Sequence, residues 1–257
     1  MKPIQRILIF HFVIAILLMG GSVRADLTVE VPFSMLKPAD ILKASQQHYD
    51  ALTSYSDEGQ AVSMLGDTSV APCKYTIKMA HPGLCRITWD QNSDILDQKG
   101  VVWSAGAGVF LKTGDTVQSQ TNLATALGAA AGFSSGATAS VPGAFFQMAW
   151  ANPLGVPVAS VKRLPDAAVD SVDCFVLTRE DHGTTTTLWI GKPDFFIHQV
   201  QRITSVAVVK ARLVEAAKQN PQLAATLPEA KPIISTETHT HIVINQNLSP
   251  ADFDQPK

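Results

Sequence analysis

The sequence predicts an α+β protein in which a meander of short antiparallel strands is interrupted by helical inserts. Three observations carry that prediction. Short runs of β-branched and aromatic residues recur between the turn signals Gly66-Asp67, His81-Pro82-Gly83, Lys99-Gly100 and Gly106-Ala107-Gly108. Two longer stretches, residues 115–164 and 206–230, lose that rhythm and turn helix-prone. Finally, TTTTLWIGKPDFFIHQV, Thr184 to Val200, reads as a hairpin with large apolar side chains on both faces. One face can pack on the sheet's own interior; the other needs a helix, a second layer or a ligand.

Each element has its own justification. From Pro38 to Tyr55 the apolar positions Ile41, Leu42, Ala44, Tyr49 and Leu52 share a helical face. Strands are expected at residues 55–65, 73–79, 84–89, 101–104 and 109–112. Residues 121–131 are Ala-rich and helix-prone, residues 133–140 are small, and PGAFFQMAWA, Pro142 to Ala151, restarts a helix with Pro near its first position. That bulky piece is either a lid or a core helix. Strands resume at residues 173–179, in the hairpin and at residues 231–245, with a helical excursion from Val206 to Leu227 broken at Pro221. With the hairpin turning at Gly191-Lys192-Pro193-Asp194, Ile190 would pair with Phe195, Leu188 with Ile197 and Trp189 with Phe196.

Residues 1–25 read as a secretory leader. Lys2 and Arg6 precede the apolar run Ile7 to Met19, and Val23-Arg24-Ala25 offers small residues for a cut before Asp26. The run is short for a membrane-spanning helix of about 20 residues; an uncleaved anchor is the alternative. No Cys follows it to carry a lipid. The expectation is a periplasmic or secreted protein with one domain over residues 26–257. Loss of Lys2, Arg6 and Arg24 makes the formal charge of −2 more negative, which argues against nucleic acid or anionic membrane as main partner. With 46% apolar and 16% charged residues, a large core is expected and disorder is not. Cys73, Cys85 and Cys174 are an odd number. In the simplest register Met79 pairs with Leu84, which points Cys85 away from the face of Cys73, so buried free thiols are expected.

Four stretches, taken in order, carry a family likeness: YTIKMAHPGLCRITWD (Tyr75 to Asp90), KGVVWSAGAGVFL (Lys99 to Leu111), TTLWIGKPDFFIHQV and HIVINQNLSPADFDQP (His241 to Pro256). Together they resemble the LolA/LolB/LppX-like superfamily of periplasmic lipoprotein-sorting carriers, especially a branch of uncharacterised periplasmic proteins. The resemblance implies an unclosed antiparallel β-barrel, a half-barrel whose concave apolar face is plugged by helices. It also implies a carrier with no catalytic residues and no cofactor. In that family an Arg before the Pro latches the lid; here His81 holds that position. Lys99-Gly100 and Ser104-Ala105 also depart from the family pattern, which bears on the specific job of ferrying lipoproteins.

Other motifs have chemical and bland readings. GFSSG, Gly132 to Gly136, matches a serine-hydrolase pattern but lacks the strand-to-helix turn that motif requires. Gly106-Ala107-Gly108 has no phosphate-loop companions, and His48 and Asp50 need no role beyond a solvated helix side. On a strand, Glu237, His239 and His241 would share one side and could converge on a metal with a donor such as His198 or Asp173. The simpler reading is a solvated polar face, with Thr238, Thr240, Ile242 and Ile244 toward the core. Trp89, Trp103, Phe110, Phe145, Phe146, Trp150, Trp189 and Phe196 could line a pocket with a movable cover, the Phe145 to Trp150 piece as lid, or each could be ordinary core. The leading expectation is a non-enzymatic binding protein for an acyl chain, lipid or other hydrophobic small molecule, its partner an envelope lipoprotein or membrane. A metal-binding protein and a ligand-free structural envelope protein are the alternatives.

Overall fold

The computed structural model describes residues 32–70, 72–92, 97–106, 108–219 and 228–254. The expected leader and the break at Pro221 lie outside them. Helix α1 spans Pro38–Asp50 and buries Ile41, Leu42, Ser45 and Tyr49 along one stripe. Strands β1 (Ser54–Leu65), β2 (Thr68–Ser69), β3 (Cys73–Ala80), β4 (Leu84–Asn92), β5 (Asp97–Ser104), β6 (Val109–Thr113) and β7 (Thr116–Gln120) follow. Helices α2 (Leu123–Ala131) and α3 (Ser140–Phe145) interrupt them. The chain resumes with β8 (Val161–Val169), β9 (Val172–Asp181), β10 (Thr184–Gly191), β11 (Ile197–Thr204), α4 (Val206–Gln219) and β12 (Ile233–Ile244).

All the strands belong to one antiparallel sheet in the order β7-β6-β5-β4-β3-β1-β12-β11-β10-β9-β8, with β2 paired to β1. The last strand is laid beside the first, which joins the two meanders. No ladder connects β7 to β8, so the sheet is unclosed, and the fold is the α+β half-barrel class expected from the sequence. One face carries the core: Tyr55, Ile77, Ile87, Val102, Leu188 and Val200 are buried there, with Leu127 and Val141 of the helical insert in the same cluster. The asparagine at 122 caps α2 by accepting the backbone N–H of Thr125 at 2.8 Å. Thus the insert covers the face of the hairpin that carries Leu188, Ile190 and Val200.

The opposite face is closed locally by the C-terminal 3-10 turn, Pro250–Phe253, which lies against β4 and buries Phe253. Its Asp252 meets Lys78 at 2.9 Å. The Lys78 ammonium, and then Ser249, hold the Asp252 carboxyl at about 2, below its ordinary 3.8. A carboxyl depressed in the folded state contributes stability above its ordinary value and loses it as pH falls through the lowered one. Docking of this turn is therefore expected to loosen between about pH 4 and pH 2, read as faster amide exchange at Phe253 while β1 and β12 stay protected. Unchanged exchange down to pH 2 would show that the ion pair contributes nothing.

Two registers and one assignment of helix differ from expectation. The turn after β3 closes with Gly83 N–H donating to Ala80 O, so Met79 pairs with Cys85. Cys85 and Cys73 therefore share a face; Cys73 still sits opposite Gln91, six positions or about 20 Å along the strand, too far for a disulfide. All three cysteines are buried and free, and burial pushes the thiols of Cys73 and Cys174 up to about 11. In the β10–β11 hairpin, Ile190 pairs with Ile197, Trp189 with Gln199 and Leu188 with Val200, across a bulge. The turn is longer than expected because Phe195 adopts φ 57° and its N–H donates to Gly191 O, which tucks Phe196 inward. Finally, residues 115–164 are not helical throughout: both edge strands, β7 and β8, begin there.

Glycine is required at position 59. Tyr75 of β3 lies across it, with ring atoms 2.5 Å from where a Cβ would stand, and the Thr238 carbonyl is closer still. Gly59→Ala is expected to cost about 2–3 kcal/mol, measured from the denaturant midpoint. A loss under about 0.5 kcal/mol would mean that the ring moves aside freely.

Candidate functional site

The aromatic side chains expected around one pocket are divided by strand parity. Trp89, Phe145 and Phe196 belong to the core cluster. Trp103 and Phe110 stack at 5.2 Å on the opposite face, and Trp189, one residue out of step with Leu188 and Ile190, shares that opposite side of its strand. Phe146 is half-buried and Trp150 is 52% exposed. His81 is exposed, its ring stacked on Phe145 at 4.5 Å. Every residue of α3 is buried, and Phe145 is 1% exposed within the core cluster. The segment after α3 also covers the sheet, with Leu154 in the core cluster and Met148 and Val156 packed against it. Gln147 donates to Asp50 at 2.8 Å and Asn152 to Gln46 at 2.8 Å, polar ties from this segment to α1.

The metal-like triad does not form. Glu237 and His239 point inward, where Ala61 and Gly59 are their neighbours on β1, whereas Thr238 and Thr240 point outward. A bulge opposite Ser56 and Glu58, with His241 at φ 51°, then shifts the strand by one residue and turns Ile242 toward the core. A one-residue slip exchanges the faces. That is why neither expected parity holds over the whole strand. His241 ends exposed, 3.6 Å from Glu58. His198 binds Asp194 at 2.9 Å and Asp173 binds Lys192 at 2.8 Å, both in the β10–β11 turn region. Among the described residues no group of three His, Cys, Asp or Glu side chains is placed to hold a metal ion.

Instead, two buried polar chains cross the interior. Asp57 Oδ2 accepts from Tyr55 Oη at 2.9 Å and lies 2.7 Å from His239 Nδ1, with Tyr75 Oη 3.1 Å from the same nitrogen. An ionised carboxylate only accepts, so Nδ1 carries the proton. Burial, and next the Asp57 charge, push the Tyr55 and Tyr75 phenols well above their usual range, so both remain hydrogen-bond donors. In the second chain Glu237, fully buried, accepts from Ser140 of α3 and from Arg202 of β11, whose Nη2 also donates to Ser140 Oγ at 2.8 Å. The second satisfies the Glu237 charge that an apolar interior would otherwise reject, whereas in the first Asp57 Oδ1 and His239 Nε2 are buried with no hydrogen-bond partner among the described residues.

Beside this second chain lies a cleft of about 570 Å³ between the 149–157 segment, the 135–139 turn and strands β9 to β12. Asp181 lines it, and so do Arg179, Thr186, Arg202 and Ser235. These four are successive cross-strand partners, so they form one row across β9, β10, β11 and β12. Two residues further along the strands, Leu177, Leu188 and Val200 form the next row, all buried. Arg179 and Thr186 also border a narrow slit of about 10 Å³ lined by Leu42, Val156, Val161, Leu177 and Leu188. The site thus has a mouth of two guanidinium groups, hydroxyls and the exposed Asp181 carboxylate, above an apolar floor. The sequence reading missed Arg179 and Arg202. Their signal was a charged residue two positions from a buried apolar one, Leu177 on β9 and Val200 on β11.

An unclosed sheet with a helical cover and an amphiphilic cleft is the class of protein that these features define. No protein-family model matches the chain, and no curated protein matches it in sequence. Solved structures with a similar fold include a LolA superfamily protein from Nitrosomonas europaea, at 11% identity and TM-score 0.34, over 86% of this chain and 98% of that one. LprF from Mycobacterium bovis matches at 10% identity and TM-score 0.43, over 85% and 96%. A chain of the Pseudomonas aeruginosa MucA/MucB complex matches at 10% and 0.41, over 85% and 61%. This likeness is one of fold alone.

Proposed function

We propose that this chain is a non-enzymatic binding or carrier protein of the cell envelope that holds an acyl chain, or a comparably apolar ligand, between its open sheet and its helical cover. One observation supports this above others: the cleft leads past Arg179 and Thr186 onto Leu42, Val161, Leu177 and Leu188, a lining with the chemistry of a hydrocarbon tail. Each buried methylene contributes about 0.8 kcal/mol, so about a dozen supply on the order of 10 kcal/mol before ordering costs. The slit is narrower than a hydrocarbon chain, so loading requires the 147–157 segment to move outward. Its ties to α1 are the Gln147–Asp50 and Asn152–Gln46 hydrogen bonds, each worth about 1 kcal/mol.

The test is the mature protein purified gently from its own envelope and weighed by native mass spectrometry. A discrete extra mass, released on denaturation and identified as an acylated molecule, is the expected result. Absence of any adduct, together with no binding of a fluorescent fatty acid at micromolar concentration, would remove the reading.

A further inference from the structure

The row of polar side chains at the cleft mouth specifies the head of the ligand as well as its tail. Arg202 is held in one orientation from behind: Glu237, with no exposed surface, accepts from Nη1, and Ser140 accepts from Nη2. A guanidinium has five N–H donors in a fixed plane, and two of them face the interior. The side chain keeps 28% of its surface, and that surface lines the cleft. Glu237 therefore neutralises the charge from the buried side while leaving further donors toward the opening. Arg179 stands two strands away across Thr186, roughly 10 Å along the row at ordinary strand spacing. Asp181 also lines the cleft, but its contact with Arg179 is 3.8 Å long and exposed, a distance and exposure at which ion pairs hold little. Thr186 and Ser235 fill the row with hydroxyls. Two guanidinium groups with hydroxyls between and beside them suit the planar or tetrahedral oxygens of an oxyanion.

We infer that the ligand is an anionic amphiphile whose carboxylate or phosphate is bound by Arg202 and Arg179, with its chain running from that row toward Leu177 and Leu188. The inference rests on the acyl-binding reading above and adds the chemistry of the head group. Glu237 and Ser140 are positioning residues: they aim the Arg202 fork and touch no ligand.

The experiment compares matched probes on the full mature chain. cis-Parinaric acid is titrated against its methyl ester, and lysophosphatidic acid against the corresponding monoacylglycerol, with inorganic phosphate as a competitor lacking a chain. The acid is expected to bind at least about tenfold more tightly than the ester, the worth of one charge-assisted hydrogen-bonded pair. In Arg202→Gln and in Arg179→Gln the acid-to-ester ratio falls toward unity, and Arg179→Lys restores part of it. Arg179 pairs with no buried group in the second polar chain, so its variants keep the test decisive if loss of Arg202 unfolds the chain. A preference for lysophosphatidic acid over the fatty acid assigns the oxyanion to a phospholipid, the reverse order to a free fatty acid, and competition by phosphate alone confirms the subsite. Equal binding of acid and ester, unchanged in both Gln variants, overturns the head-group assignment while the acyl reading stands. Failure of every chain-bearing probe to bind overturns both.

Discussion

Glu237→Ala lowers stability by about 3–5 kcal/mol, the cost of leaving one partner of a buried ion pair uncompensated. Glu237 has no exposed surface and is reached by Ser140 of α3 and Arg202 of β11. Its removal strands the Arg202 charge at the sheet and detaches α3 from β12 in the same step. Denaturant unfolding of the purified variant measures the loss. In a double variant, Glu237→Leu with Arg202→Met, most of it returns, because two apolar side chains replace a desolvated pair at little net cost. A single-variant loss below about 1 kcal/mol would show that water already reaches the pair.

Phe145→Ala costs a similar amount, about 3–5 kcal/mol, as expected for a large aromatic removed from a full core. The ring is 1% exposed, stacks on His81 at 4.5 Å and meets Phe146 edge-on at 4.9 Å. The variant also separates two roles for the residue. A core position loses stability and leaves the affinity of a bound fluorescent fatty acid nearly unchanged, whereas a lid position would do the opposite. Thermal melts and probe titration on the same sample give both numbers. Wild-type stability in this variant would return Phe145 to the cover.

Much of the scaffold could be read from the chain because its information is local. The alternation of Tyr75, Ile77 and Met79 with Lys74, Thr76 and Lys78 states both strand and face, and the Ile41-Leu42-Tyr49 stripe states a helix. The edge strands were hidden for a physical reason. β7 reads TVQSQ and is mostly exposed, and β8 carries Pro165 and Asp166; an edge with a solvated side needs no apolar alternation. The closing strand misled by parity. Glu237 and His239 are inward polar groups held by Arg202, Ser140 and Asp57, partners 35, 97 and 182 positions away in sequence. The Arg179-Thr186-Arg202-Ser235 row depends on the register of three ladders at once, which no single segment carries.

The gap between β7 and β8 also governs how the protein can change size. A closed barrel has its girth set by strand number and stagger, and widening it means breaking a ladder. Among the described residues no continuous hoop of hydrogen bonds encircles the interior, so the eleven-strand path can flex like a strip, opening room beneath its helices with every pairing intact. The corresponding hazard is two raw rims, and each is blunted: one by its five-residue length, the other by Lys162, Arg163 and Pro165.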